Sequence, residues 1–456
     1  GARGHLSLLC MVRVEGKRLM FVAALLPHRS FRWNFTVMGL DLTLFVFGLS
    51  FVSAYGVLPL FVHHLSASNL ALGAIPAVRS SSLLPPLFVA ALIERLPRKK
   101  PFVITCTVIE RLPYLCIAVA TPFLATTHPA ALLWFFFVML AFAIMAGGVA
   151  TPAWLDLIAR MIPANWRGRF FGLSSALGGL LGVVGSAGAA LLLRHFSWST
   201  GCALCFACTF ACLVVSFVFI AFGREPVRAA KREERGAITT PLAPPEHILR
   251  RLPGLLRDNR NLCWYLIAIV LVTSAGAAAS FYIVDAKRSL SLSDAAASLY
   301  AVVLLAATTA GNVLWGYVGD HLGHKRIVVM GALCTGLAPL IALIVRYPQF
   351  GPLGYGGVFL LVGLGTSALQ LTAFTFIIDL APAEQRPTFI GVATMAQAPF
   401  AFIAPLLCAV IADRGGYAPV FVLAAAFALV GMALVSRFVR DPRMEAAQHL
   451  PLANAE

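Results

Sequence analysis

Four ionisable side chains interrupt otherwise apolar stretches of this chain. Asp41 stands in VMGLDLTLF, Arg79 in AVRSSSLLPPLF, and Glu110 and Arg111 in CTVIERLPYL. If those stretches lie in lipid, such groups are expensive and become candidates for function. Asp41 or Glu110 could take up and release a proton, and Arg79 or Arg111 could contact a solute. Neighbouring residues on a helix point about 100° apart, so Glu110 and Arg111 cannot share one partner. Glu110 is therefore expected to pair with Arg79 across two adjacent spans. The plainer alternatives stay open: a structural ion pair for Glu110, and a wetted helix-entry carboxylate for Asp41. His63 and His64 are expected as polar cap residues that could sense pH.

A second pattern is the link GYVGDHLGHKR, residues 316–326, between two apolar runs. Gly316 and Asp320 are four residues apart and share a helix face. Gly316 would let a neighbouring helix approach closely, and Asp320 could face the N-terminus of another helix, where the dipole favours negative charge. Gly323 permits a tight turn, and Lys325 and Arg326 hold the link in the cytoplasm.

Other chemistries lack their residues. There is no G-x-S-x-G, P-loop or H-E-x-x-H pattern, so no catalytic residue, metal ligand or cofactor is assigned and the chain is not read as an enzyme. Cys202, Cys205, Cys208 and Cys212 have the C-x2-C-x2-C-x3-C spacing of a ferredoxin cluster. The following residue is Leu213 instead of proline, and a helix fans the four thiols over one face. They are read as soft apolar residues, with a membrane redox protein as the rival.

The elements that must position these groups follow from composition. Of 456 residues, 60% are hydrophobic and 12% charged, about half the charge of a soluble domain, and mean hydropathy is +0.86. The apolar residues come in blocks of about 20, the length a helix needs to cross a bilayer. Twelve spans are predicted near 37–62, 72–93, 102–124, 131–154, 170–192, 201–222, 262–283, 296–318, 327–345, 356–378, 389–411 and 419–437. With that layout 28 Lys and Arg fall on the side of the termini and 5 on the other. Cationic loops stay in the cytoplasm, so both termini are expected there. The asymmetry accounts for most of the +16 net charge, and no nucleic-acid partner is inferred.

Residues 223–261 form the one long polar interior segment and divide the spans six and six. The expected organisation is a cytoplasmic tail (1–36), a six-helix bundle (37–222), a linker (223–261), a second bundle (262–437) and a cytoplasmic tail (438–456). The halves match: PANWRGRFFG (163–172) and PAEQRPTFIG (382–391) fit P-A-x-x-R-x-x-F-x-G at an offset of 219, and SAYG (53–56) meets SAGA (274–277) at 221. Asp156 and Asp379 precede the two longer copies and are expected to orient Arg167 and Arg386.

Six plus six spans, a basic central loop and G-x-x-x-D-x-x-G-x-K-R after the second span of a half resemble the major facilitator superfamily over about residues 35–440. The resemblance implies an all-α membrane fold of two pseudo-symmetric six-helix bundles. It also implies that the link is a conformational clasp. Asp320 would face the start of span 5 near Phe170, beside Arg167, and Glu94 with Arg95 in the degenerate copy AALIERLPRKK (90–100) would face the start of span 11, beside Arg386. The family's cavity helices offer Tyr55, Trp154, Ser274, Tyr282 and Gln370, and span 11 adds Gln397.

The function expected is secondary transport of a small organic solute by alternating access, with proton coupling left open. The alternatives are an efflux pump for amphipathic compounds and a non-transporting receptor or assembly protein of the same fold. The expected partners are a small-molecule substrate and the lipid bilayer, the expected state a monomer, and the expected place a bacterial inner membrane.

Overall fold

The computed structural model describes residues 29–85, 89, 93, 96, 98–225, 259–345, 351–380 and 386–440. The side chains at 29, 30, 164, 165, 168, 320, 374, 375, 378, 379, 386–388, 390 and 391 lie outside that description. The described residues form fourteen α-helices and no strand. These are α1 (Arg29–Ser50), α2 (Val57–Leu65), α3 (Asn69–Ser80), α4 (Lys100–Thr127), α5 (Pro129–Met161), α6 (Ala164–His195) and α7 (Trp198–Phe222) in the first half. The second half has α8 (Arg260–Gly276), α9 (Ala279–Ser289), α10 (Asp294–Leu322), α11 (His324–Val345), α12 (Gly351–Leu380), α13 (Arg386–Gly415) and α14 (Tyr417–Phe438). Among the described residues eleven segments are long and apolar enough to cross a membrane, α8 and α9 counting as one. The predicted second span begins at Asn69 as α3 and a single 3-10 turn, and its remainder is described only in part.

Spans 1 and 7 were expected to be continuous. Both are broken, at 51–56 between α1 and α2 and at Ala277–Ala278 between α8 and α9. The first break takes in SAYG and the second begins at the last residue of SAGA, so the short repeat lies at the interruption of each half. Small residues there let the chain pack closely: a Cβ on Gly56 would stand 2.7 Å from the Ala301 Cβ on α10.

Several helices at the far end, opposite the termini, start on a serine cap. The hydroxyls of Ser68, Ser197 and Ser293 accept from the backbone N–H groups of Leu70, Thr200 and Ala296. Each meets an N–H that the first turn leaves without a partner. Phe123, Trp134, Val184, Val313 and Leu353 point outward, as acyl chains allow.

Where the core sits decides how the halves relate. One cluster runs through both at the far end, joining Val57–Val62, Phe136 and Phe206 to Phe281, Tyr282, Tyr355, Phe359 and Phe421. At the face of the termini the core is divided. Phe31, Met38, Leu157, Phe170 and Ile220 form one cluster in the first half. Leu262, Tyr265, Phe376, Phe389 and Val435 form another in the second. Phe170 and Phe389 are the equivalent phenylalanines of the P-A-x-x-R repeat, each fully buried at the base of its own half.

The halves meet along α3 with α13 and α6 with α10. Both seams use glycine. A Cβ on Gly73 would overlap the Pro405 carbonyl oxygen and stand 2.9 Å from the Ala409 Cβ; on Gly182 it would stand 2.8 Å from Leu305 Cδ2. Small residues bring helix backbones together where lipid supplies no hydrophobic force between them. Gly73→Ala should therefore lower thermal stability by roughly 1–3 kcal/mol, the usual cost of overpacking. Gly356→Ala, whose Cβ would meet no neighbour among the described residues, should be neutral or gain up to about 1 kcal/mol; thermal unfolding of the two purified variants checks the contrast.

Candidate functional site

Helices α1, α4, α5 and α7 converge on Asp41, which is 3% exposed. The Ser216 hydroxyl on α7 donates to Asp41 Oδ1 at 2.5 Å and accepts from Arg111 Nη2 at 2.9 Å. Trp154 Nε1 on α5 donates to Asp41 Oδ2 at 3.3 Å. Arg111 Nη2 lies 3.7 Å from Asp41 Oδ1, so this ion pair is bridged by a hydroxyl and is not a direct fork. The guanidinium sits 5.6 Å above the Phe217 ring. Its Nε and Nη1 are buried and meet no acceptor among the described residues.

A cavity of about 190 Å³ adjoins the pair, with Asp41, Thr107, Glu110, Arg111, Thr151 and Trp154 among its lining and Leu42, Phe45, Val103 and Ile220 as apolar wall. Glu110 reaches it because Gly147 has no side chain; a Cβ there would stand 2.7 Å from Glu110 Oε1. The site thus holds two carboxylates, one guanidinium and two hydroxyls in an apolar surround. Such an arrangement can bind or release a proton, or present N–H donors to an oxygen acceptor.

The expected Glu110–Arg79 pair does not form among the described residues: Arg79 is exposed on α3, and Arg111 is the one that turns inward, toward α1 and α7. The 100° step along α4 sends Glu110 toward α5 instead. Ser216 escaped the sequence reading; its signal is a lone hydroxyl in the apolar run LVVSFVFIAF.

The link residues are placed as follows. Gly323 has φ +83° between α10 and α11, a left-handed conformation that favours glycine. Lys325 Nζ donates to the Ser436 carbonyl on α14 at 3.0 Å, and Arg326 is exposed. The close approach expected at Gly316 is found at Gly319, where a Cβ would stand 2.9 Å from Ile327 Cδ1; at Gly316 it would meet nothing among the described residues. The tight turn at Gly323 folds α11 back onto the Gly319 side of α10. Glu94 and Arg95, and the side chains of Asp320, Asp379 and Arg386, lie outside the described residues.

Arg167 does not reach Asp156. It donates from Nη2 to the Ala159 carbonyl at 2.6 Å and from Nε to that of Ile162 at 3.1 Å, where a cation at a helix C-terminus is favoured. Asp156 instead meets Arg160 at 3.1 Å and Lys99 at 3.7 Å. Glu225 accepts the backbone N–H groups of Lys99 and Lys100 at 3.0 Å, capping α4. Burial holds the Lys99 ammonium below its ordinary range, against the pull of Asp156.

Of the expected cavity residues, Trp154 joins Asp41 and Gln397 accepts from Thr273 at 3.2 Å within the second half. Tyr55 is half-buried and Gln370 exposed. Ser274 donates to the Val270 carbonyl of its own helix. Tyr282 is 3% exposed and packs on Phe421 at 4.9 Å; the break in span 7 carries it into the far-end core and away from a cavity wall. The four cysteines lie along the single helix α7, spread over about 15 Å of its length, too far for one cluster.

Polar groups that join the halves gather at the far end; of these the sequence reading named only His64, and not its partners. Asp294 on α10 meets Lys287 of α9 at 2.5 Å and His64 of α2 at 2.6 Å, and His64 stacks on Trp198. Asp413 on α13 accepts from the Asn69 side chain at 2.9 Å, and Tyr417 donates to Asn69 Oδ1 at 2.8 Å. Within the second half, Tyr355 donates to the buried Asp285 at 2.5 Å.

A double-mutant cycle tests the Asp41–Arg111 pair. Asp41→Asn and Arg111→Met should each lower stability by about 3–5 kcal/mol, because a buried charge is left uncompensated, and the double variant should recover most of that. Thermal or denaturant unfolding in one detergent reads the coupling.

The family model described as the Major Facilitator Superfamily matches residues 40–285 and again 266–454. No curated protein matches the chain significantly. Among solved structures, a D-xylose-proton symporter is similar at TM-score 0.67 and 12% identity, over 91% of this chain and 99% of that one. A mutant of the nucleoside transporter NupG is similar at 0.65 and 15%, over 90% and 100%. A bacterial homologue of the human lysosomal transporter Spinster, inward-facing and unoccupied, is similar at 0.61 and 13%, over 90% and 96%. The two successive matches fit two halves broken at the same repeat and joined along two glycine seams: the chain belongs to the Major Facilitator Superfamily.

Proposed function

We propose that the protein moves a small organic solute by alternating access of its two halves, and that the conformation described here opens toward the face of the termini. One observation carries this reading: the hydrophobic core is shared between the halves at the far end and divided at the termini. The polar contacts between halves, His64–Asp294 and Asn69–Asp413, lie on the closed side. The 28-to-5 division of Lys and Arg supports a cytoplasmic open side; the membrane is read as a cell membrane, in bacteria the inner one, and the protein as a monomer.

In the opposite state the cytoplasmic side must close. Gly316, Asp320, Gly323, Lys325 and Arg326 are the residues for that closure. Gly323 fixes the bend and Lys325 ties the link to α14, leaving Asp320 to meet the start of α6 near Phe170. Glu94 would do the same for α13 near Phe389, with Arg95, Arg167 and Arg386 alongside. Asp41 and Glu110 are the groups for proton coupling, since both line one cavity beside Arg111. The half-buried Tyr55 and the exposed Gln370 are left as solute contacts from span 1 and span 10.

The far-end contacts must be weak enough to open. Partly exposed ion pairs contribute up to about 1 kcal/mol, which is roughly a fivefold change in a two-state ratio. With Tyr55→Cys as the sole cysteine, Asp294→Asn or Asp413→Ala should raise labelling by an impermeant thiol reagent from outside about fivefold and lower labelling from inside. Unchanged labelling on both sides would sink the alternating reading and favour a non-transporting protein of this fold. An efflux pump would label in the same way but be stabilised by amphipathic cations in preference to polar solutes.

A further inference from the structure

The cavity inside the first half has a mismatch of donors and acceptors. Arg111 is 4% exposed, and its Nε and Nη1 meet no acceptor among the described residues. Its nearest carboxylate, Asp41, stands 3.7 Å from Nη2 and is already held by Ser216 and Trp154. Buried N–H groups without acceptors are costly, and among the described residues no oxygen acceptor meets Nε or Nη1. The cavity of about 190 Å³ has room for a small organic solute.

We propose that this cavity binds a small carboxylate on Arg111 together with one proton on Glu110. Asp41, Glu110 and Arg111 give the site a net charge of −1. An added carboxylate alone would double that charge in an apolar surround, at a large desolvation cost. One proton from solvent restores the balance. Glu110 receives it, because Asp41 already has hydrogen-bond donors while Glu110 has none among the described residues and lies against Gly147. The titratable and charged groups facing Glu110 are Asp41 from α1 and Cys106, Arg111 and Tyr114 from its own α4. The α5 and α7 lining, Gly147, Ala150, Thr151, Trp154 and Ile220, adds no acid or base. The Thr107 and Thr151 hydroxyls already donate to the Val103 and Gly147 carbonyls, which leaves the carboxylate to the guanidinium, and Phe45 and Trp154 enclose a short carbon chain. Proton and carboxylate then favour each other's binding equally, which couples the two without any contact between them.

The inference deepens the transporter reading and rests on it for the site's purpose, but the binding itself is tested apart from transport. Pyruvate has six non-hydrogen atoms and is ionised at both pH 5.5 and pH 7.5. Calorimetric titration of the purified full-length chain should give binding tighter at pH 5.5 by about tenfold or more, one-proton linkage allowing at most tenfold per pH unit. The heat should vary with the buffer's ionisation enthalpy, reporting proton uptake. Pyruvamide, which lacks the charge, should bind at least tenfold more weakly. Arg111→Gln should lose pyruvate binding, and Glu110→Gln should keep it without the pH dependence. If Arg111→Gln does not accumulate, Asp41→Asn/Arg111→Gln removes both buried charges at once and should lose binding in the same way. The proposal is overturned if pyruvate does not bind, if pyruvamide binds as well, or if both arginine variants retain affinity. Failure of the labelling experiment alone would leave this binding result standing.

Discussion

Two six-helix halves embedded in lipid gain little from hydrophobic attraction to each other, because acyl chains are as apolar as leucine. What joins them must be close backbone packing and polar contacts. Gly73 against Pro405 and Ala409 supplies the first along α3 and α13, and Gly182 against Leu305 repeats it along α6 and α10. The rest of the arrangement depends on these two seams. They hold the halves side by side and leave their ends free to be joined or divided, according to which end carries the additional contacts.

At the far end those contacts are both apolar and polar. The broken first and seventh spans matter here. A straight span 7 would keep Tyr282 and Phe281 on one line with Ser274, whereas the interruption at Ala277–Ala278 lets α9 turn into the shared core. His64, Lys287, Asp294, Asn69 and Asp413 surround that core with ion pairs and hydrogen bonds. At the other end, Phe170 and Phe389 each close a core within one half, so separation there exposes little that either half needs for its own stability. The terminal-face network around Lys99, Asp156, Arg160 and Glu225 also lies within the first half and can travel with it.

The Asp41–Ser216–Arg111 group is a different kind of feature. A buried ion pair seldom stabilises more than an apolar filling would, and this one has a hydroxyl between its charges and donors left over. Of its helices, α1 packs on α6, which forms the seam with α10, while α4, α5 and α7 hold the group from within the first half. A solute or proton bound there would act on the helices that move.

The sequence by itself determined the spans, their number to within one segment, the doubling of the chain and the sidedness of its charge, because each rests on local composition and on length set by the bilayer. It also showed which ionisable residues lie in apolar runs: Asp41, Arg79, Glu110 and Arg111. The partners of those residues were decided by the tertiary structure alone. Arg111 turned to α1 and α7 instead of Glu110 turning to Arg79, since which face of α4 meets which helix depends on packing among four spans. Ser216 and Gly147 had no signal beyond being small or polar in an apolar run, yet one bridges the ion pair and the other admits Glu110. The SAYG and SAGA repeats were visible as letters. That they break two helices and let one end of the molecule close became evident only once α2, α9 and α10 were in contact.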